Sequence, residues 1–429
     1  MNKLISIFSR SGISTKYSVN VLWNIASYGV IAVTGLLLNF IVAFYYSVAV
    51  LGVFNQVFAY YIFLSQLAVG GVHLSMLKTV AQSHNDEDQV IKLFTSGLIL
   101  TFLTSLLVSS ITFFLYDFLG GLLGSQDVSI GVAFIAPGLL FFSLNKTMLA
   151  LLNGLDRMKE YAIFQALRYI FFLFFISCLI VLSFPGNALP LIFSLSEGCM
   201  FCLLFMKTYN YFDFHGFLSY KDLYYSHALF GLKAAGGNLL LDINTRVDVI
   251  VLGYFASDRM VGIYSIAALV VEGFCQLPVV LRANINPLIT QTFYNKSKEE
   301  FKNLLGRIKN LSFLVFFPIG VTIALVFPLV FLLRPDPDII ASWKPLVIIM
   351  IGALVSIGYL PLLTIFNQTG HPTSQTLLIF VIFMTNLIMN ILLVPFYGLT
   401  GSAIATGLTF ALQGLYIRWF AFRIIKAKI

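Results

Sequence analysis

"NLLLDINTRVDVIVLGYF", residues 238–255, is the stretch on which the fold turns. It is apolar enough to belong in hydrocarbon, yet it carries Asp242, Arg246 and Asp248. A charge at the centre of a bilayer costs about 2.5–3.5 kcal/mol even on the mildest insertion scale, so a chain keeps one there only if something holds it. On a helix, Asn238, Asp242 and Arg246 step by four and share one stripe, which Gly231, Ala235, Val249 and Gly253 extend with small side chains. Asp242, one turn before Arg246, is in the favourable order for an ion pair. Asp248 points about 120° away and needs another partner. The segment must turn a polar face to water or to another polar surface, and cannot turn it to lipid.

The rest of the chain agrees with a bilayer setting. Hydrophobic residues make up 59% of it and charged residues 10%, with a mean hydropathy of +0.93. An ordinary globular chain has about 25% charged residues. A spanning helix needs about 20 apolar residues, and only helices satisfy their own backbone in lipid. That length predicts about twelve spans: 19–45, 52–78, 93–117, 128–152, 161–183, 188–208, 228–255, 259–287, 310–333, 345–366, 374–394 and 399–421. No polar stretch is long enough for a separate soluble domain. The opening "MNKLISIFSRSGISTKYSVN" is expected to be an uncleaved cytoplasmic lead into the first span, because the apolar run after it is too long for a signal peptide.

Lysine and arginine in short loops stay cytoplasmic. With the N-terminus inside, 20 of the 26 basic residues fall on the cytoplasmic side and three (Arg259, Arg334, Lys344) outside, which predicts both termini in the cytoplasm. The net charge of +8 is thus a topology signal, and no nucleic-acid partner is expected. Shifting the sequence by 210 residues lays "YYSVAVLGVF" (45–54) on "FASDRMVGIY" (255–264), with Ser47 on Ser257 and Gly52 on Gly262. Gln66-Leu67 then falls on Gln276-Leu277, and Lys92 on Lys302. Copies six spans apart share one orientation. The expected architecture is therefore an all-α polytopic membrane protein of two parallel six-helix halves, 1–208 and 228–429, around a central cleft, joined by a cytoplasmic linker at 209–227.

Most motifs dissolve on inspection. No phosphate loop and no H-E-x-x-H is present, which argues against an ATP motor or a metallohydrolase; no cofactor and no metal are expected. Ser75-x-x-Lys78 reads as a snorkelling lysine at a helix end, and Cys199-x-x-Cys202 as packing within an apolar helix. "HNDEDQ" (84–89) and "KSKEE" (296–300) read as solvated cytoplasmic turns. Lys146, Arg168 and Arg282 lie within spans near their cytoplasmic ends, where they either snorkel or ring an inward-facing vestibule. Glu197 and Glu272 lie deeper, as proton carriers, as counter-ions or as structural partners of a neighbouring helix.

At "RVDVIVLGYFASDRMVGIYSIAALV" (246–270) the chain resembles the start of the second half of the polysaccharide-transport family, the O-antigen flippases of bacteria. There an Asp precedes an apolar run and Gly-x-Phe/Tyr, then a short turn and Val-Gly-Ile-Tyr-Ser. "LNGLDRMKEYAIFQ" (152–165) is similar to the family's cytoplasmic loop before span five. Relatives often carry Arg and Pro-Glu in the first-half turn, which is uncharged here, and the span-one cations of peptidoglycan-precursor flippases have no match.

The resemblance implies movement of an undecaprenyl-pyrophosphate-linked oligosaccharide from the cytoplasmic to the outer leaflet of a bacterial inner membrane by alternating access, without catalysis. Its implied partners are the lipid-linked glycan, the bilayer, a glycan polymerase and a chain-length regulator. Arginine suits pyrophosphate because its planar fork bonds it bidentately and stays protonated. Arg246, with Asp242 and Asn238 beside it, is thus the first candidate substrate site, followed by Lys146, Arg168 and Arg282. Asp248, Glu197 and Glu272 are the candidates for ion coupling. Two other readings stay open: a cation-coupled exporter of the same superfamily, expected to have a carboxylate-lined first half that spans one and two here lack, and a membrane polysaccharide polymerase, expected to have a large outer loop.

Overall fold

A computed structural model describes residues 15–216, 219–329 and 336–425, which form helices joined by short turns, with no strand among them. In chain order the helices are α1 (Thr15–Tyr45), α2 (Val48–Val69), α3 (Val72–Gln82), α4 (Glu87–Phe114), α5 (Tyr116–Gly121), α6 (Gln126–Gly154), α7 (Met158–Val181) and α8 (Leu191–Thr208). They continue with α9 (Lys221–Asn244), α10 (Val247–Phe255), α11 (Asp258–Asn295), α12 (Lys298–Val326), α13 (Pro337–Ala341), α14 (Trp343–Ser356), α15 (Ile365–Gln368) and α16 (Pro372–Ile424). Short 3₁₀ turns fill some of the joints.

Ten helical segments among the described residues are long and apolar enough to cross a membrane. The twelve expected spans are reconciled by two breaks. The 53-residue α16 is interrupted at Gly398, whose φ of 50° and ψ of −129° are not helical, so it holds both 374–394 and 399–421. Glycine alone adopts that conformation without a Cβ clash. The expected span 228–255 is split into α9 and α10, neither of which qualifies alone. Span 52–78 is also divided, by Gly70 and Gly71 at φ 55° and 72°. Arg334 lies outside the described residues, as does the side chain of Asn238.

Both mixed-charge turns are helix caps. Asp86 accepts a hydrogen bond from the Gln89 amide at the start of α4, and Ser297 accepts one from the Glu300 amide at the start of α12. Acids in the first turn of each helix (Glu87 and Asp88; Glu299 and Glu300) favour the positive end of the dipole. In the linker, Asp213 accepts from the His215 amide (2.9 Å) and from the Tyr220 hydroxyl (2.6 Å), while its own amide donates to Thr95 Oγ1 (2.8 Å). The tyrosine bond, with backbone amides behind it, holds the Asp213 carboxyl down at about 2.

The chain packs as two units. Among the described residues, one comprises those up to 40, 60–121 and 126–236; the other those in 41–59, 122–125 and from 237 onward. The first is centred on Met76, Val80, Phe94, Met148, Leu151 and Leu204. The second is centred on Ile289, Leu305, Leu362, Phe366, Leu378 and Ile417. In the first unit α6 contains Pro137, which removes a ladder donor. The hydroxyl of Ser194 on α8 enters the gap: it accepts from the Gly138 amide at 2.8 Å and donates to the Phe134 carbonyl. Ser109 on α4 donates to the Ala136 carbonyl at 2.6 Å. The backbone around Pro137 is thus bonded by two neighbouring helices.

Candidate functional site

Arg246 stands in the gap between α9 and α10, at φ −134° and ψ 0°. The helical ladder fails there because the amides of Thr245 and Arg246 reach back only three residues, to the carbonyls of Asp242 and Ile243. The Thr245 hydroxyl also bonds the Asp242 carbonyl, at 2.7 Å. The four-step stripe of Asn238, Asp242 and Arg246 therefore does not run through to the arginine. That expectation is corrected: the ion pair of Arg246 is with Glu272 on α11, Nη2 to Oε2 at 3.0 Å. The guanidinium also lies 5.2 Å over the ring of Phe58. Its Nε is buried and has no hydrogen-bond partner. Arg282 is ten residues beyond Glu272 on α11, about 15 Å of helix, and past Pro278.

Asp248, in the first turn of α10 and buried, finds the partner its position demanded. The Tyr264 hydroxyl of α11 donates to Oδ2, Thr406 of α16 reaches the same oxygen at 3.4 Å, and the Val249 amide donates to Oδ1. Tyr264 and Thr406 also bond one another at 2.9 Å. A second row of oxygens continues along α16. Ser402 donates to Asn390 Oδ1 (2.9 Å), and Asn390 donates to the Asn386 carbonyl and Oδ1 (2.9 Å each). Asn386 in turn donates to the Asn244 carbonyl at 3.3 Å, the group left free at the end of α9. The row thus reaches the helix break that carries Arg246. These residues are uncharged and do not stand out in the sequence as the aspartates and arginine do. The signal was there as two four-step polar pairs, Asn386/Asn390 and Ser402/Thr406, on an otherwise apolar helix.

In the first unit the structure joins two candidates that the sequence treats separately. Arg168 Nε lies 2.8 Å from Glu197 Oε1, with the carboxylate fully buried. The Tyr61 hydroxyl donates to the same oxygen (3.0 Å) and Asn145 Nδ2 to Oε2 (2.8 Å). The Phe142 ring lies 4.8 Å from Arg168 and 5.6 Å from Lys146, whose ammonium donates to Gln66 Oε1 at 2.9 Å. Removing one member of a buried ion pair leaves the other charge uncompensated and costs about 3–5 kcal/mol. Glu197→Gln should therefore lower the melting temperature of the purified protein sharply, whereas Glu197→Gln combined with Arg168→Met should recover much of the loss. An unchanged melt in the single variant would show that the pair is dispensable. Ser75 has its hydroxyl 2.9 Å from His227 Nδ1 and Lys78 lies 4.6 Å over Phe230, so the two do not form a serine–lysine pair.

Known proteins share this framework. The chain is 29% identical over 181 residues to the probable flippase AglR of Haloferax volcanii, covering 39% of this chain and 36% of that protein. It is 24% identical over 208 residues to an uncharacterized membrane protein of Methanocaldococcus jannaschii, covering 47% and 39%. The chain thus matches well under half the length of either relative. Among solved structures, an inward-facing multidrug resistance MATE family transporter of the MOP superfamily superposes with a TM-score of 0.75, at 14% identity and 95% coverage of both chains. The lipid II flippase MurJ, in an inward closed conformation, gives 0.74 at 16% identity, covering 95% of this chain and 88% of that one. At such identities the likeness establishes the fold, that of the twelve-helix MATE and MurJ transporters. Residues 234–393 match the MatE family, and residues 18–277, more than half of the chain, match the family described as polysaccharide biosynthesis protein. The protein is a multi-pass membrane protein, and it belongs to the polysaccharide biosynthesis protein family.

Proposed function

We propose that the chain is a flippase that carries an undecaprenyl-pyrophosphate-linked oligosaccharide, the repeat unit of a surface polysaccharide such as O-antigen, from the cytoplasmic to the outer leaflet of a bacterial inner membrane. The observation that carries this reading is Arg246. A partly buried guanidinium whose buried Nε is unpartnered, held on one side by Glu272 and resting on Phe58, is a polar group kept ready for a ligand. Its planar fork suits a phosphate, and its partial withdrawal from water strengthens each charge-assisted bond. Asp242 and Asn238, earlier in the chain before the break, and Arg282, further along α11, belong to the same substrate site. Asp248, set among the hydroxyls of Tyr264 and Thr406 with the amides and hydroxyl of α16 nearby, offers oxygen ligands of the kind a hard cation or a proton uses. Asp248 is thus the site of ion return, with Glu272 and Glu197 as the other carboxylates of the cycle.

The test is genetic and chemical. Deleting the gene should cause lipid-linked glycan to accumulate on the cytoplasmic side, and the cloned chain should restore export. Normal export without the chain would sink the reading. The MatE match over residues 234–393 favours a second reading, export of a small molecule coupled to a cation. Loss of drug resistance with undisturbed glycan export would decide for it.

A further inference from the structure

A sharp break in a helix has a cause: proline, glycine, or a side chain pushed into the ladder. Residues 238–252, which run through the break between α9 and α10, contain neither proline nor glycine. The Thr245 hydroxyl turns the chain from within, but it bonds the Asp242 carbonyl and leaves that of Asn244 uncovered. Asn386 of α16 supplies the missing group. Its Nδ2 donates to the Asn244 carbonyl at 3.3 Å and faces the Asn244 side-chain oxygen at 3.4 Å. Asn244 is two residues before Arg246, so the inserted amide acts on the turn that presents the guanidinium.

That amide is not free to flip. A carbonyl only accepts, so Asn386 must face Asn244 with its nitrogen and keep its own oxygen behind. The oxygen accepts from Asn390 Nδ2 at 2.9 Å, which turns the Asn390 oxygen toward Ser402, whose hydroxyl donates to it at 2.9 Å. Each donor thus specifies the next. The three side chains are 3%, 0% and 0% exposed, and a buried polar row stabilises a fold only when every member is satisfied. This row ends on a backbone group of another helix.

We infer that Asn386 is a positioning residue for Arg246: acting through the backbone, it holds open the break that brings the guanidinium to Glu272 and away from Asp242. In an unbroken helix positions 242 and 246 share one face, so the choice of acid partner follows from the break. Without the Asn386 donor, the Asn244 carbonyl is left buried and unpaired, or takes the amide of residue 248 as in an ordinary helix. The second course closes the ladder through Thr245 and Arg246 and carries the guanidinium off Glu272. The inference rests on the transport reading only for what Arg246 does with cargo; where Arg246 stands is measurable without any.

The experiment uses full-length protein lacking its four native cysteines, with Arg246→Cys and Glu272→Cys joined by a short bifunctional maleimide. The two side chains meet at 3.0 Å in the parent, and replacing both leaves no stranded charge. Asn386→Leu, which keeps the bulk and loses the donor, should slow cross-linking about tenfold, the weight of one buried hydrogen bond left unmade. Ser402→Ala should slow it by a smaller factor. A control pair, Arg259→Cys with Asp338→Cys, whose side chains also meet in the second unit, should link at the parental rate in both variants. Parental linking of positions 246 and 272 in folded Asn386→Leu would overturn the inference, and so would slowing at both pairs, which is general loosening. Should Asn386→Leu fail to fold, Ser402→Ala decides: slower linking at 246 and 272 alone supports the positioning role, and parental linking refutes it. A chain that cross-links as expected yet flips no lipid-linked sugar keeps Asn386 as the holder of position 246 and removes the flippase reading.

Discussion

Arg246→Ala should abolish glycan export while the protein stays in the membrane at its normal level. The Arg246–Glu272 pair is partly buried, its side chains 16% and 34% exposed, so truncation should cost about 2 kcal/mol, the low end of the range for buried pairs, which corresponds to roughly 30-fold in rate if it falls on the transport barrier. Arg246→Lys should keep only part of the activity. An ammonium preserves the attraction to Glu272 but loses the fork and the planar face that lies over Phe58. Truncation also strips Glu272 of its counter-charge, so Arg246→Ala with Glu272→Gln is the informative companion: it relieves the stranded acid and should still fail to export. Both quantities are read from surface polysaccharide on cells and from protein in isolated membranes. Wild-type export by Arg246→Ala would reduce the arginine to a structural partner of Glu272.

The second large effect concerns energy. A head group with about two negative charges, moving outward across an inside-negative potential, gains roughly 4–5 kcal/mol per 100 mV. If a cationic site such as Arg246 moves with it, much of that gain cancels, and an ion must then re-enter during the return step. In liposomes at clamped zero potential, the parent chain should flip a fluorescent lipid-linked sugar faster when a pH or sodium gradient is imposed. Asp248→Asn should lose that response, a drop on the order of tenfold or about 1.4 kcal/mol in the barrier. Asparagine keeps the shape and one acceptor for Tyr264 but holds no charge for an ion. A parent that answers only to potential, and to neither gradient, would exclude the coupled return.

The spans were legible because hydrocarbon imposes one rule on every residue, and a run of about 20 apolar side chains obeys it wherever it falls. Even the break at 398 fell where the sequence places a short joint between spans eleven and twelve. The break at Thr245–Arg246 was not legible. It depends on the threonine hydroxyl and on Asn386, which is 142 residues away from the carbonyl it caps. Periodicity therefore named Arg246 and Asp248 as residues needing partners but misassigned the first partner. Glu272 and Tyr264 sit on a different helix, and a single sequence does not say which faces of two helices meet. The same limit hid the meeting of Arg168 with Glu197, both of which had been singled out alone.

The serine bridge beside Pro137 in α6 also sets a schedule. Gly138 and Phe134 emerge from the ribosome 56 and 60 residues before the serine that joins them. At synthesis rates of about 5–20 residues per second, this amide and carbonyl wait for about 3–12 s before their permanent partner exists. Until then the two can bond only each other, the ordinary i→i−4 pair of a helix, and the serine enters that bond when α8 packs against α6. The order in which this half is assembled is thus written into the position of one hydroxyl.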